Sequence, residues 1–501
     1  MIERFDVVIL GSGFSGSLLA WILAKQGRKV LLIDSGHHPR FAIGESSTPT
    51  ADFLIHQIAT QWGLQKLAPL ATWGSWKQAY PDLVCGKKRG FSYYKHEKGQ
   101  CFVDDHQHSR SFLVAASCED RYSDTHWLRS SVDQFFVKNA VDDGSLLQEG
   151  TTLQSARYDR FDSLWNLRIK GHDGAKDIAS TWLIDASGGG AATADFANNP
   201  LDDDWMRTRT RATFAHYQGV QPFDDGRSVD DPFCGDDAAQ HHLVENGWWW
   251  MLRFDNGITS VGLVEKLDSV STGDSSPVDA YLQGALNQYP SVAKLLCESK
   301  RVAPTLGIHG TSEQIACSIR SGRMSRCRAK ASAAGLILLP NAYGFVDPLH
   351  STGIAHALSG VTRAAQIMLG PTREIETALN DYDRDLRREM RWLDTLIAGC
   401  YFAMPNFKRF IAFSSFYFTA AIQFEAVMSE DPAVWPEGFL QANDTMMIEA
   451  AEASIREIDD ESLSDDQFTA HVRQRIRRWN KVGLLEPLNR NRLDHTAAPK
   501  R

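Results

Sequence analysis

The chain opens on a near-continuous apolar run. Phe5-Asp6-Val7-Val8-Ile9-Leu10 has apolar side chains on both faces, which predicts a strand buried on both sides in a parallel sheet. Gly11-Ser12-Gly13-Phe14-Ser15-Gly16 follows, then a helical pattern over 17–27 that stops at a glycine. Lys29-Val30-Leu31-Leu32-Ile33-Asp34 is a second strand ending in an acid. Trp182-Leu183-Ile184-Asp185-Ala186-Ser187, before three glycines, and Leu336-Ile337-Leu338-Leu339-Pro340 read as further buried strands. From about residue 205 to 325 the pattern is β-rich. Within it, two strands flank Asn256-Gly257, a hairpin signal. Alternation along the first of them puts Trp248 and Trp250 on one face and Trp249 on the other. Beyond residue 361 the pattern is helical, with an amphipathic helix over 372–397 and an unusually aromatic stretch over 402–428.

The first strand, glycine turn, helix and second strand with its terminal acid are in register. That combination predicts a dinucleotide site. Gly11, Gly13 and Gly16 permit the turn, Phe14 and Ser15 open the helix whose N–H groups meet a pyrophosphate, and Asp34 is placed for a ribose hydroxyl. No second strand–glycine–helix fingerprint follows, so one cofactor of the FAD type fits better than a resident nicotinamide. The fold class expected is α/β (α+β): a Rossmann-like FAD-binding domain with an inserted β-sheet substrate region and a C-terminal helical region. The expected divisions are 1–200 and 326–370 for the FAD-binding core, 201–325 for the substrate region and 371–501 for the helices.

Composition narrows the partners. A net charge of −9 argues against a nucleic-acid footprint. The eight cysteines are scattered without a CxxC pair, which points to reduced thiols, a cytoplasmic protein and no metal site. The first strand starts too early for a signal peptide, and the apolar run over 410–424 is too short and polar to span a bilayer, so no transmembrane segment is expected. The aromatic stretch is left open between a substrate lid and the face of a homodimer.

Other segments carry candidate chemistry. Gly44-Glu45-Ser46-Ser47-Thr48-Pro49 precedes a helix and is either an ordinary N-cap or a cofactor contact. Arg129 opens another helix and would serve a phosphate or a carboxylate. In Gly86-Lys87-Lys88-Arg89-Gly90-Phe91, alternation allows only one of the two lysines into a cavity. Lys88 would share its face with Gly90, Ser92 and Tyr94, and Phe91 would lie opposite. Phe345-Val346-Asp347-Pro348-Leu349-His350-Ser351-Thr352-Gly353-Ile354 is a turn at a helix start, where unpaired N–H groups face an anion.

Taken together, Gly11 to Gly16, the Gly44-Glu45-Ser46 segment with Pro49, Gly247-Trp248-x-Trp250 and Phe345-x-x-Pro348-x-x-Ser351-x-Gly353 resemble the flavin-dependent halogenases of the FAD-monooxygenase-like superfamily. Gly86-x-Lys88-Arg89-x-Phe91 and Asp347-Pro348-Leu349 resemble the pyrrolnitrin-pathway branch. The resemblance implies that reduced FAD, supplied by a separate flavin reductase, uses dioxygen and chloride or bromide to make hypohalous acid. It implies catalytic roles for Lys88 and His350, with Lys87 and Lys77 as fallback lysines, and Arg89 as a cation beside Lys88. It places FAD against the glycine turn, Asp34, Gly44, Glu45, Ser46, Arg129, Asp347, Pro348, Gly353 and Ile354. Halide would lie at Ser351, Thr352 and Gly353, and an electron-rich aromatic, free or carrier-tethered, near Trp248, Trp250 and Phe91. Three departures matter: Leu252-Arg253 replaces the family's Ile-Pro, Pro340-Asn341 stands for the usual Gly-Asp of the third flavin motif, and His350 stands where tryptophan halogenases carry glutamate. An FAD monooxygenase or a prenyl-reductase-like enzyme is the alternative.

Overall fold

The Glu3–Leu10 strand runs through the middle of a parallel sheet, flanked by Gly174–Asp185 and Val30–Ile33. The structure is a computed structural model that describes residues 2–190, 192–223, 231–269, 277–302, 318–431 and 433–497. Leu336–Leu338 and Leu146–Gln148 extend the parallel sheet on its two sides. Val7 to Leu10 are buried because helices cover the sheet. Phe14–Lys25 lies across it, with Arg129–Asp142 and Gly353–Leu369 packed on that helix. Seven cysteines are free thiols, and Cys317 lies outside the described residues.

The second sheet is mostly antiparallel. Thr210–Gln218, Ile258–Lys266, Gly247–Arg253 and Ala239–Val244 pair in that order. Gly257 has φ +79°, as the expected Asn-Gly turn requires. Trp248 and Trp250 belong to the main core and Trp249 to a smaller core on the other face, as alternation predicts. Gly90–Lys95 then joins in parallel, followed by Ser111–Ala115 and finally Arg492–Leu493. The strands of this sheet are thus not confined to 201–325. Ladder hydrogen bonds do not depend on sequence separation, so strands from before residue 200 and from the last residues complete this sheet.

The C-terminal helices differ from their expected bounds. Ile375–Ala403 follows a short 3₁₀ turn, and Phe407–Glu430 starts at Asn406, whose side chain accepts from the Lys408 and Arg409 N–H groups at 3.1 and 3.2 Å. By length and composition the 24-residue Phe407–Glu430 helix is long and apolar enough to cross a membrane, contrary to the reading of its central run as too short. It is a core helix here, 83% buried over its most apolar window and packed on Pro49–Gln61, Ile375–Ala403 and Asp465–Ile476. Its aromatic side chains face the protein interior.

One buried carboxylate ties the layers together. Asp347 Oδ2 accepts from Thr210 Oγ1 at 2.6 Å and from the Tyr401 hydroxyl at 3.0 Å. Asp347 Oδ1 accepts from the Leu349 N–H at 3.0 Å, and the Tyr401 oxygen accepts from Trp248 Nε1 at 2.8 Å. A segment beside the parallel sheet, two strands of the second sheet and a C-terminal helix are thereby joined. Burial raises the Asp347 pKa from 3.8 to about 6, although the bonds from Thr210, Leu349 and Tyr401 pull it down. The folded state thus holds this proton more tightly than the unfolded chain. The favourable contribution is complete below pH 3.8 and is lost as pH rises through about 6. Relative to Asp347→Asn, the wild-type urea midpoint should fall over that window and then level off. A constant difference across it would show that Asp347 does not titrate as described.

Gly262 allows a close approach. A Cβ there would lie 2.2 Å from the Trp250 ring. Gly262→Ala should cost about 1–3 kcal/mol by overpacking, measured by urea unfolding.

Candidate active site

A cavity of about 910 Å³ opens between the C-terminal ends of the parallel strands and the second sheet. That is where open α/β sheets hold dinucleotides. The turn after the first strand needs glycine: Gly11 has φ +100°, and a Cβ on it would stand 2.6 Å from the Ala186 carbonyl oxygen. A Cβ on Gly16 would lie 2.1 Å from the Gly11 carbonyl oxygen, so the turn and the helix touch. Asp34 Oδ2 accepts from the Ser12 N–H at 2.7 Å, from Ser12 Oγ at 2.6 Å and from Arg40 Nη2 at 3.0 Å. Burial alone would raise the Asp34 pKa, but Arg40 and the bonds from Ser12 and Gly36 outweigh it and hold the carboxylate below its ordinary range. Gly13, Phe14, Ser15, Gly44, Glu45, Ser46 and Arg129 also line the cavity.

Arg129 is more committed than the sequence suggests. Its Nε and Nη2 bind Asp133 at 2.8 and 2.9 Å, and Nη1 donates to the Ile43 and Gly44 carbonyls at 2.7 and 3.2 Å. It clamps the 43–44 segment beside the glycine turn while lining the cavity. Glu45 Oε2 and Ser46 Oγ are buried and have no hydrogen-bond partner among the described residues. Orphaned polar atoms in a cavity wall fit the polar edge of a ligand ring. With the glycine turn and Asp34 beyond them, the residues fit FAD.

Lys88 lies just behind this wall. It is fully buried, and its Nζ donates to the Ser47 carbonyl at 2.5 Å and sits 4.0 Å from the centre of the Phe91 ring. The expected face assignment is corrected here. The strand breaks at Arg89: Cys85–Lys88 pairs with Asp124–Trp127, and Gly90–Lys95 joins the second sheet. Phe91 therefore returns to the Lys88 side. Lys87 points outward to Asp120 and Asp237 at 2.7 and 3.1 Å, and Lys77 pairs with Asp255. Arg89 also binds Asp120 at 2.7 Å, so its charge is compensated at the surface.

Three buried histidines surround the lysine region. Burial, with Lys88 next, lowers the pKa of both His126 and His241 to about 3. Burial, then His241, does the same for His350. All three are neutral near pH 7. His241 also lines the large cavity and packs on Trp248 at 4.8 Å, so it connects the cavity with Lys88.

The late turn divides into two sets of residues. Pro348, Ser351, Gly353 and Ile354 line the cavity. Asp347 is not among the residues lining the cavity; its carboxylate is used in the network with Thr210 and Tyr401. Ser351 has φ +54°, and its N–H is already bound to the Pro348 carbonyl at 2.9 Å, so it is removed from the expected halide donors. Thr352 caps the Gly353–Leu369 helix, whose first N–H groups have no partner within the helix. His350 turns toward the C-terminal helices: its ring stacks on Tyr417 at 4.2 Å, and its Nε2 meets Cys400 Sγ at 3.4 Å. His350 Nδ1 is buried without a partner among the described residues.

Trp248, Trp250 and Leu252 line the cavity, whereas Arg253 is bound to Asp236 and to the Val220 and Gln221 carbonyls. Phe91 continues away from the cavity as an aromatic wall with Tyr417 and Phe418, at 6.1 and 5.8 Å. Sequence reasoning missed His126, His241, His216 and Arg40. None belongs to a recognisable motif; the pairing of distant strands brings the histidines to the site, and Arg40 folds back onto Asp34 from the loop after the second strand. Among the described residues no group of three or more potential metal ligands occurs.

Comparison with known proteins fits this geometry. Residues 9–66 match the NAD(P)-binding Rossmann-like domain, and residues 125–407 match the tryptophan halogenase family. The chain is 26% identical over 440 residues to the monodechloroaminopyrrolnitrin halogenase PrnC of Pseudomonas fluorescens, covering 85% of this chain and 73% of that protein. It is 24% identical over 423 residues to the tetracycline 7-halogenase of Kitasatospora aureofaciens, covering 80% and 71%. The fold matches that of halogenase PltM in complex with phloroglucinol and FAD, with a TM-score of 0.83 at 19% identity over 99% of this chain and 100% of that one. The chain belongs to the tryptophan halogenase family and is a flavin-dependent halogenase with FAD as its cofactor.

Proposed function

We propose that the enzyme places chloride or bromide on an electron-rich aromatic ring of phenol, pyrrole or indole type, with Lys88 directing the halogen. The observation that carries this reading is the position of Lys88: fully buried, bound to the Ser47 carbonyl, and one residue behind the cavity wall at Ser46. The relatives are named for monodechloroaminopyrrolnitrin and tetracycline, and the PltM structure holds phloroglucinol, which supports an aromatic substrate for this chain.

Reduced FAD supplies the electrons with which dioxygen converts halide to hypohalous acid. Asp34, the glycine turn, Ser46 and Glu45 would hold it. The halide site is assigned to the Thr352 and Gly353 N–H groups at the helix start, where partial positive charge is not accompanied by a competing nucleophile. Hypohalous acid then passes the Ser46-Ser47 segment to Lys88, whose Nζ donates a hydrogen bond to it and orients it. The neutral His126 and His241 add no charge to compete with that bond. The substrate ring packs on the Phe91, Tyr417 and Phe418 wall. His350 Nδ1, the orphan nitrogen there, accepts the proton released as the ring regains aromaticity. Only a strongly acidic donor such as an arenium ion protonates an imidazole whose pKa is about 3. The absence of a second dinucleotide fingerprint favours a separate flavin reductase, so NADPH alone should not bleach the bound flavin.

Lys88→Met, which keeps much of the buried volume, should abolish ring halogenation by at least about 10²-fold, while FAD binding and hypohalous acid release from bromide persist. The test is product analysis on a phenol and pyrrole panel together with a hypohalous acid trap. Unchanged halogenation by the variant would remove Lys88 from the mechanism.

A further inference from the structure

Glu45 and His216 bridge two cavities. Glu45 is 2% exposed, lines the large cavity, and carries the orphan Oε2. Its Oε1 is 2.8 Å from His216 Nε2. His216, on the Thr210–Gln218 strand, lines a second cavity of about 300 Å³ with Phe41, Arg129, Gln134 and Asn256. The two cavities share Ala42 and Arg129 and so are neighbours. The rings of Phe41 and Phe254 stand beside the His216 imidazole at 5.1 and 6.0 Å. The pair is thus a two-residue polar link in a wall that is otherwise aromatic at this point.

The surroundings leave the link free to exchange protons. His216 faces Ser260 and Val302 on its neighbouring strands, neither of them titratable. On the segments packed nearby, Arg40 pairs with Asp34, Arg253 with Asp236, Asp255 with Lys77 and Arg301 with Asp279, and Arg129, Asp133, His126 and Lys88 also lie there. Arg129 and Asp133 neutralise each other, His126 is neutral near pH 7, and Lys88 is bound to the Ser47 carbonyl. Among the described residues, Glu45 is held through its backbone carbonyl, which accepts from the Trp127 N–H at 2.6 Å, and through His216.

Stoichiometry supplies the need. Halogenation follows ArH + X⁻ + O₂ + FADH₂ + H⁺ → ArX + FAD + 2 H₂O, so each turnover draws one proton from solution into a closed site. We propose that Glu45 and His216 form a proton relay from the 300 Å³ side cavity to the flavin cavity. His216 Nε2–H gives its proton to Glu45 Oε1 as its Nδ1 takes one from solvent. Rotation of the protonated carboxyl about its Cγ–Cδ bond carries that proton to the cavity side, where Glu45 delivers it and returns to the carboxylate, and tautomer exchange of the His216 imidazole through solvent restores Nε2–H. The stoichiometric argument rests on the halogenase reading. The relay itself is testable without halogenation, because bound flavin also takes up protons when it is reduced.

The experiment is flash photoreduction of the FAD-loaded enzyme, without oxygen, in weak buffer with a pH-indicator dye. His216→Gln should slow proton uptake by about 10²-fold while FAD still binds; Glu45→Gln, read on the fraction of enzyme that retains FAD, should slow it as much, and the double variant, read the same way, should be no slower than either single one. In His216→Ala the side cavity opens, and added imidazole should restore uptake, with substituted imidazoles ranking by their pKa. Wild-type uptake rates in FAD-loaded His216→Gln would overturn the relay. So would a His216→Ala enzyme that binds FAD yet is indifferent to imidazole. Failure of the wild type to release hypohalous acid from bromide would instead sink the halogenase reading and leave the uptake measurement intact.

Discussion

A lysine with no solvent exposure must find its hydrogen bonds inside the protein, since an unpaired buried ammonium is prohibitively costly. Lys88 binds the Ser47 carbonyl, and that choice organises the site. Ser47 follows directly on Glu45 and Ser46, which line the flavin cavity, so the lysine is anchored to the same segment that meets the cofactor. The Ser47 N–H donates to the Thr125 carbonyl, and Ser46 bridges to His126, which keeps the segment fixed against the strand paired with that of Lys88. One short stretch therefore sets the relation between the place where oxidant is made and the place where it is used.

The site's charges are arranged by exclusion as much as by attraction. His126, His241 and His350 lie around the lysine region, and burial keeps all of them neutral. Lys87 and Arg89 neighbour Lys88 in sequence, yet they compensate Asp120 and Asp237 outside. Lys88 is in this way separated from the cations next to it in the chain.

Much of this was legible in the sequence where local pattern decides the outcome. The glycine turn with Asp34, the Asn256-Gly257 hairpin and the alternation of Trp248, Trp249 and Trp250 depend on neighbours a few residues apart. What escaped depends on long-range pairing. Phe91 faces Lys88 because the chain changes sheets at Arg89, which period-two counting does not reveal. Asp347 sits in a motif that suggested cofactor contact, but Thr210 and Tyr401, far away in sequence, claim its carboxylate. The aromatic stretch beyond residue 402 was ambiguous because composition does not say which surface covers a helix; its partners are other helices of the chain together with Phe91 of the second sheet and His350 of the late turn.

The Arg492–Leu493 strand completes the second sheet at Ser111–Ala115, and the Leu113 N–H also bonds the Asn491 carbonyl. That pairing spans most of the chain. During synthesis the Rossmann core can form early, but the Ser111–Ala115 edge of the sheet that carries the tryptophans stays unpaired until Arg492–Leu493 has been made. A pairing of such long sequence separation forms late, and a chaperone holding that edge would act on the nascent chain throughout the synthesis of everything between the two strands.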